Sequence, residues 1–185
     1  MNLVMPTRMT VDEFLRWSER QERGRYELED GRVIEMPAET STHVGLKHFV
    51  HAAMVSAIAR AGLAYYSWQN GMSVRIGPNR CFEPDVYVAP LPYPLGAALE
   101  VSNPIVVVEV LSPSTTRRDL TTKVVGYARV PTIEHYIVID PAERVVLNYR
   151  RHGDVLLPPE APVEGVLRLD PPGLELPVAE MLGPE

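Results

Sequence analysis

The sequence predicts an α/β domain with helices flanking a mixed β-sheet, and three observations predict it. The run IVVVEV, Ile105–Val110, is a short apolar, β-branched stretch of the kind that forms a strand covered on both faces. A helix-forming segment and a second apolar run, HYIVID at 135–140, follow it, giving the order strand–helix–strand. Hairpin patterns on either side, YELEDGRVIEM at 26–36 and a turn at Pro141-Ala142-Glu143, add antiparallel strands and make the sheet mixed.

The elements follow in chain order. Thr10-Val11-Asp12-Glu13 has the form of a capping box, so a helix opens there with Phe14, Leu15 and Trp17 on its apolar side. The 26–36 hairpin turns at Asp30-Gly31. Thr40, Ser41 and Thr42 are candidate N-caps for a long helix ending near Gly62, along which Val44, Phe49, Val50, Met54, Val55 and Ile58 recur at helical spacing. Short strands are expected at Ala64–Trp68, Ser73–Ile76 and Asp85–Ala89. The stretch Pro90–Pro104 is a proline-rich surface loop with room for one helical turn. A capped helix, opening near Ser114 or Asp119, should lead into the 135–140 strand, and VVLNYRR forms the strand after the turn. From Val155 the tail is rich in proline with short β-like pieces and offers no chemistry. The chain reads as one domain over 1–185, with a core at about 9–151 and a proline-rich C-terminal extension at about 155–185.

Composition limits the function classes. A chain of 185 residues, 45% hydrophobic and 23% charged, matches a soluble globular protein with a sizeable core. No window approaches the roughly 18 consecutive apolar residues of a membrane span. The N-terminal residues lack the order of a signal peptide. A lone cysteine, Cys81, excludes an intrachain disulfide framework and a Cys-rich zinc site. The cytoplasm is the expected compartment, with no membrane partner. A net charge of −6 argues against coating nucleic acid through bulk electrostatics, yet leaves room for a small acidic site that reaches phosphates through bound metal ions. There are sixteen arginines but only two lysines, Lys47 and Lys123, so each lysine position carries information.

Glu109 sits inside the valine run, where an unpaired charge costs several kcal/mol. It must leave the core near a strand end or hold a strong partner. Asp85 opens another short apolar strand, after Glu83 and Pro84. Neighbouring strands can set Asp85 and Glu109 side by side, and carboxylates that close repel unless a cation lies between them. Mg²⁺ suits such a pair, because it takes oxygen ligands and keeps waters and phosphate for the rest. A helix opening near Ser114 or Asp119 puts Lys123 in its first turns, above the carboxyl end of the Glu109 strand, where open α/β sheets bind ligands. A lysine there orients a water or holds a negatively charged transition state.

Taken together, YELEDGRV, EPDVYV and IVVVEVLSPSTTRRDLTTKVVGYARVPTIEHYIVIDP resemble the bacterial putative restriction endonuclease family of the PD-(D/E)XK nuclease superfamily, long catalogued as a domain of unknown function. The resemblance spans roughly Met9 to Arg151 and implies a restriction-endonuclease-like core. It implies that Pro84-Asp85 is the PD element with Asp85 a metal ligand, and that Glu109 is the acid of the second element and another ligand. The lysine expected two residues after Glu109 is replaced by Leu111, and Lys123 on the next helix is the matching position. Glu27 matches a further acidic position, as a ligand or a substrate-side carboxylate. The implied activity is metal-dependent endonucleolytic hydrolysis of DNA phosphodiester bonds with Mg²⁺ or Mn²⁺, by a homodimer.

Plainer readings stand beside each residue. Asp85 could be a turn aspartate, and Glu109 could pair with Arg117 or Arg118. Lys123 could pair with Asp119 on a solvated helix face, and Glu27 could lie across a hairpin from Arg32. His43 falls at the helix start near the expected site. His48 and His51 have zinc-ligand spacing but no evident third ligand. Cys81 and Tyr127 read as packing residues. The alternative function is a non-catalytic protein of the same fold that binds nucleic acid or a partner, favoured by Leu111 and the acidic charge. A structural or toxin–antitoxin style interaction protein is a further rival.

Overall fold

A computed structural model describes residues 8–112, 118–159 and 161–184. Helix α1 (Val11–Ser18) opens with the capping box: Thr10 accepts from the Glu13 amide, and Glu13 accepts from the Thr10 amide. Strands β1 (Arg25–Glu29) and β2 (Arg32–Met36) form a hairpin whose turn residues Asp30 and Gly31 have φ of 50° and 80°. That left-handed pair matches the strand twist and suits Asp-Gly. Helix α2 (Ser41–Ala61) runs from the N-cap Thr40 to the C-cap Gly62. Strands β3 (Tyr65–Gln69), β4 (Val74–Gly77), β5 (Arg80–Phe82), β6 (Val86–Pro90) and β7 (Val106–Val110) follow.

Asp119–Lys123 forms a single π-helical turn that continues into α3 (Val124–Ala128). Strands β8 (His135–Asp140), β9 (Val145–His152) and β10 (Val155–Leu157) complete one sheet, and β11 (Val166–Leu169), β12 (Leu174–Pro177) and α4 (Val178–Leu182) close the chain.

The main sheet has the order β10-β9-β8-β7-β6-β3 and is mixed: β7 and β8 are parallel, and the other neighbours antiparallel. Every residue of β7 is buried. Val106, Val108 and Val110 face one way, against α2 and the β11–β12 hairpin, while Val107 faces the other, against Phe82, Tyr127 and Tyr136. A second sheet, β2-β1-β5-β4, lies on that other side. It sends Phe82, Val74 and Ile76 toward the main sheet, while Leu28 and Cys81 pack beneath α1.

Some elements depart from expectation, and others were not foreseen. The buried stripe of α2 is Leu46, Lys47, Val50, Ala53, Met54, Ala57 and Ile58, whereas Val44, Phe49 and Val55 are exposed by 50%, 37% and 45%. Val50, Met54 and Ile58 are buried as expected; the stripe that points at the sheet is completed by Leu46, Ala53, Ala57 and Lys47, so large apolar side chains alone marked only part of it. The helix after β7 is not regular, because a π-turn at Asp119–Lys123 interrupts it between α-helical Arg118 and α3; Ser114, where a cap is expected, lies outside the described residues. The 90–104 loop forms no helical turn, and Glu100 instead bridges Ser73. The three-residue strand β5 was too short to carry a pattern. The tail, in turn, supplies Leu167, Leu169, Leu174, Leu176 and Met181 to the core beside α2.

Candidate active site

The site forms where β6 begins and β7 ends. Val86 pairs with Val108, and continuing this antiparallel register by one residue sets Asp85 opposite Glu109, hence on the same face. The Asp85 amide donates to the Val108 carbonyl at 3.1 Å, and the Val110 amide donates to Asp85 Oδ2 at 2.8 Å. Asp85 and Glu109 are buried, and both line one cavity of about 250 Å³. Glu39, His43, Arg25 and Lys123 line it too.

Behind the cavity, one ammonium is shared by three acids. Lys123 Nζ lies 2.8 Å from Glu109 Oε1, 3.2 Å from Glu27 Oε1 and 3.4 Å from Asp119 Oδ1. The π-turn brings Asp119 and Lys123 to the same inward side, and both are 1% exposed. Tyr127 donates to Glu109 Oε1 at 2.8 Å. Glu27 has further partners: Arg118 Nη1 on Oε2, and the Glu83 amide on Oε1 at 2.9 Å. Arg118 Nε also reaches Glu29 Oε2 at 3.0 Å.

These partners divide the acids. Burial is the largest effect on Glu109 and pushes its pKa well up; Lys123 opposes this, while Asp85, Asp119 and Glu27 add to it. Burial also acts to raise Glu27, but Lys123 and then Arg118 outweigh it and hold that carboxyl below the usual range. Lys123 is raised despite its burial, by Glu109, Glu27 and Asp119 in that order. The ammonium therefore stays charged.

On the other side of Asp85, α2 contributes a row of polar side chains. His43 Nε2 is 2.9 Å from the Val110 carbonyl and 3.5 Å from Asp85 Oδ2. Its Nδ1 lies 3.7 Å from Glu39 Oε1, is buried, and makes no hydrogen bond among the described residues. Lys47, 1% exposed, places Nζ 2.5 Å from Glu39 Oε1, 2.8 Å from Asn70 Oδ1 and 3.5 Å from Asp85 Oδ1. Burial acts to raise Glu39, but Lys47 and then Arg25 hold it below the ordinary value. Arg25, first residue of β1, pairs through Nη1 with Glu39 and through Nε with Glu83 at 2.9 Å.

One ligand atom each from Glu39, His43 and Asp85 lie within 4.8 Å of one another, facing a cavity that Glu109 also lines. A set of two carboxylates and one imidazole, one of whose ring nitrogens makes no hydrogen bond among the described residues, fits a divalent cation.

The structure thus brings Asp85, Glu109 and Lys123 together and puts His43 beside them. Glu27 joins the cluster but is buried beneath it; it pairs across the hairpin with Ile34, and it is Glu29 that sits opposite Arg32. Glu109 pairs with Lys123 rather than Arg118, and Arg117 lies outside the described residues. His51 Nε2 instead lies 3.0 Å from the Ser67 carbonyl. His48 is on the exposed side of α2. Cys81 is fully buried, and burial pushes its thiol up to about 12, so it is no nucleophile. Sequence reading missed Glu39 and gave Lys47 no place in the site; the Lys123–Asp119 pair it offered does form, but buried rather than on a solvated face. A signal was present for Glu39 and Lys47: with His43 they are spaced by four, Glu39 standing just before the N-cap Thr40, and both lysines of the chain end up in the site.

A mixed sheet that carries clustered acids at strand ends, with a lysine from the following helix, is a restriction-endonuclease-like arrangement. A solved structure described as a putative nuclease belonging to DUF820, from Anabaena variabilis ATCC 29413, shares this fold. It has a TM-score of 0.70 and 18% identity, covering 94% of this chain and 97% of that one. The Uma2 family, described as "Putative restriction endonuclease", matches residues 11–179 by its sequence profile, and the chain belongs to that family. No curated protein is significantly similar in sequence. Among the described residues, no helix is long and apolar enough to cross a membrane.

Proposed function

We propose that this protein is a metal-dependent endonuclease that hydrolyses DNA phosphodiester bonds with Mg²⁺ or Mn²⁺. The observation that carries the reading is that Asp85, Glu109 and Lys123, drawn from two strands and the following helix, line one cavity. Asp85 and Glu109 are the ligands expected from sequence, and Glu39 and His43 add donors on the same cavity. When bound, a divalent cation supplies Lewis acidity and positive charge toward a phosphate.

The chain's own residues do the rest. Lys123 presents a fixed ammonium to the cavity, which offsets negative charge gathering on the phosphate oxygens. Glu27 and Asp119 hold that ammonium in place, and the Tyr127 hydroxyl fixes one oxygen of Glu109. Glu27 is thus a positioning residue rather than a ligand. Because the net charge is −6, DNA is held locally at the site rather than over a broad basic face. Cutting both strands of a duplex suits two copies related by a two-fold axis, so the working form is a cytoplasmic homodimer.

A plasmid-nicking assay with Mg²⁺ or Mn²⁺ tests the reading, with melting curves recorded in parallel. Wild-type protein is expected to nick supercoiled DNA, and EDTA to stop it. Asp85→Ala should stay folded and lose activity by roughly 10²-fold or more. Lys123→Ala is a poorer probe, since it leaves three buried acids without their cation and costs about 3–5 kcal/mol of stability. If folded wild type and Asp85→Ala behave alike, the protein is a binding module that keeps the nuclease fold.

A further inference from the structure

We infer that Arg25 is a substrate-contacting residue that grips the phosphate backbone of DNA at the cavity mouth. The inference rests on the nuclease reading above and adds a residue that the sequence did not single out. Two cations line the cavity among the described residues, Arg25 and Lys123. Their situations differ. The Lys123 side chain is 1% exposed and is shared by three buried acids, so it meets only what has already entered. The Arg25 side chain is 28% exposed.

Arg25 is also aimed by its surroundings. It starts β1 opposite Met36, the last residue of β2, and the connection from Met36 through Glu39 to α2 forms one wall of the cavity. Glu83 holds Nε at 2.9 Å and Glu39 holds Nη1, so the guanidinium is fixed in place rather than waving in solvent. A planar guanidinium presents paired donors that match two phosphate oxygens, which an ammonium does not. Glu39 is also a donor of the candidate cation set. A cation that engages Glu39 would take over part of the charge now neutralising it, leaving the guanidinium free to bind a phosphate.

The test is binding of a fluorescein-labelled short duplex by anisotropy across a salt series, with Ca²⁺ in place of Mg²⁺ to slow cleavage. Lost phosphate contacts show in the salt dependence, which loss of a purely structural residue leaves alone. Arg25→Gln is expected to weaken binding about tenfold and to reduce the slope of log K against log salt by about 0.9. Arg25→Lys keeps the charge, so the slope should return to the wild-type value while affinity stays below wild type. Should Arg25→Gln fail to fold, Arg25→Lys decides alone, and a wild-type Kd in that variant overturns the inference. Unchanged slope and Kd in folded Arg25→Gln, beside a wild type that nicks DNA, overturn it while sparing the nuclease reading. A folded wild type that neither nicks nor binds duplex removes both.

Discussion

Glu109 Oε1 is met at 2.8 Å by two donors, the Lys123 ammonium and the Tyr127 hydroxyl. Burial pushes the Tyr127 pKa well up, and Glu109 and Glu27 add to the push, so the phenol keeps its proton and acts as a donor. Tyr127→Phe deletes that hydrogen bond and little else, because the ring stays packed against Phe82 and Tyr136. The variant should be less stable by about 1–2 kcal/mol in urea unfolding, the worth of a buried bond to an ionisable group. Stability equal to wild type would show that Lys123 alone satisfies Glu109. The acid in the valine run was legible from sequence as something needing a partner. Which partner it takes was not, since Arg118 is nearer in sequence than Lys123 and goes instead to Glu27, 91 residues away.

At the scale of elements, the π-turn and α3 act as one unit that swings Lys123 inward and lays Tyr127 over the sheet. The close approach depends on Gly126. A Cβ there would sit 2.6 Å from Phe82 Cε2, and that ring is fully buried between the Tyr127 ring and the Arg118 guanidinium. Helix propensity favours alanine over glycine by up to about 1 kcal/mol, whereas overpacking a tight core costs about 1–3 kcal/mol. The clash wins, so Gly126→Ala should lower the melting temperature; a rise would mean that Phe82 has room to shift. Elements with strong local rules were readable: the Thr10 capping box, the Asp30-Gly31 hairpin and the Thr40-to-Gly62 helix all form as their residues dictate. Strand β5 and the π-turn were not, because three residues hold no periodicity and a π-turn has no sequence signal separate from an α-helix.

The whole molecule is tied together by its tail. Leu167, Leu169, Leu174, Leu176 and Met181 are each no more than 1% exposed against α2. His135, at the start of β8, reaches the tail: Nε2 is 3.0 Å from the Pro171 carbonyl, and Nδ1 is 3.1 Å from Asn148 Oδ1. Burial dominates and lowers its pKa from 6.5, against the raising effect of those two contacts. A group whose pKa is lowered on folding gives stability that is present above its unfolded value and lost as pH falls through the folded one. Wild type should therefore lose stability on acidification below about 6.5. Urea midpoints measured on either side of that pH should differ less for His135→Gln than for wild type. An identical pH slope in the two proteins would show that His135 titrates alike folded and unfolded.

The sequence by itself determined most of the strands, the hairpins and the strand–helix–strand order, and it allowed Asp85 to meet Glu109, because each follows from local periodicity and neighbouring register. Only the tertiary structure decided that Glu39, His43 and Lys47 turn toward Asp85, that Glu27 anchors Lys123 from below, and that the proline-rich tail completes the core. Those outcomes depend on which faces of distant elements come together. Ion pairing follows that geometry: the pairs Arg25–Glu83 and Arg118–Glu27 join residues 58 and 91 positions apart, with nothing in the intervening sequence to announce them.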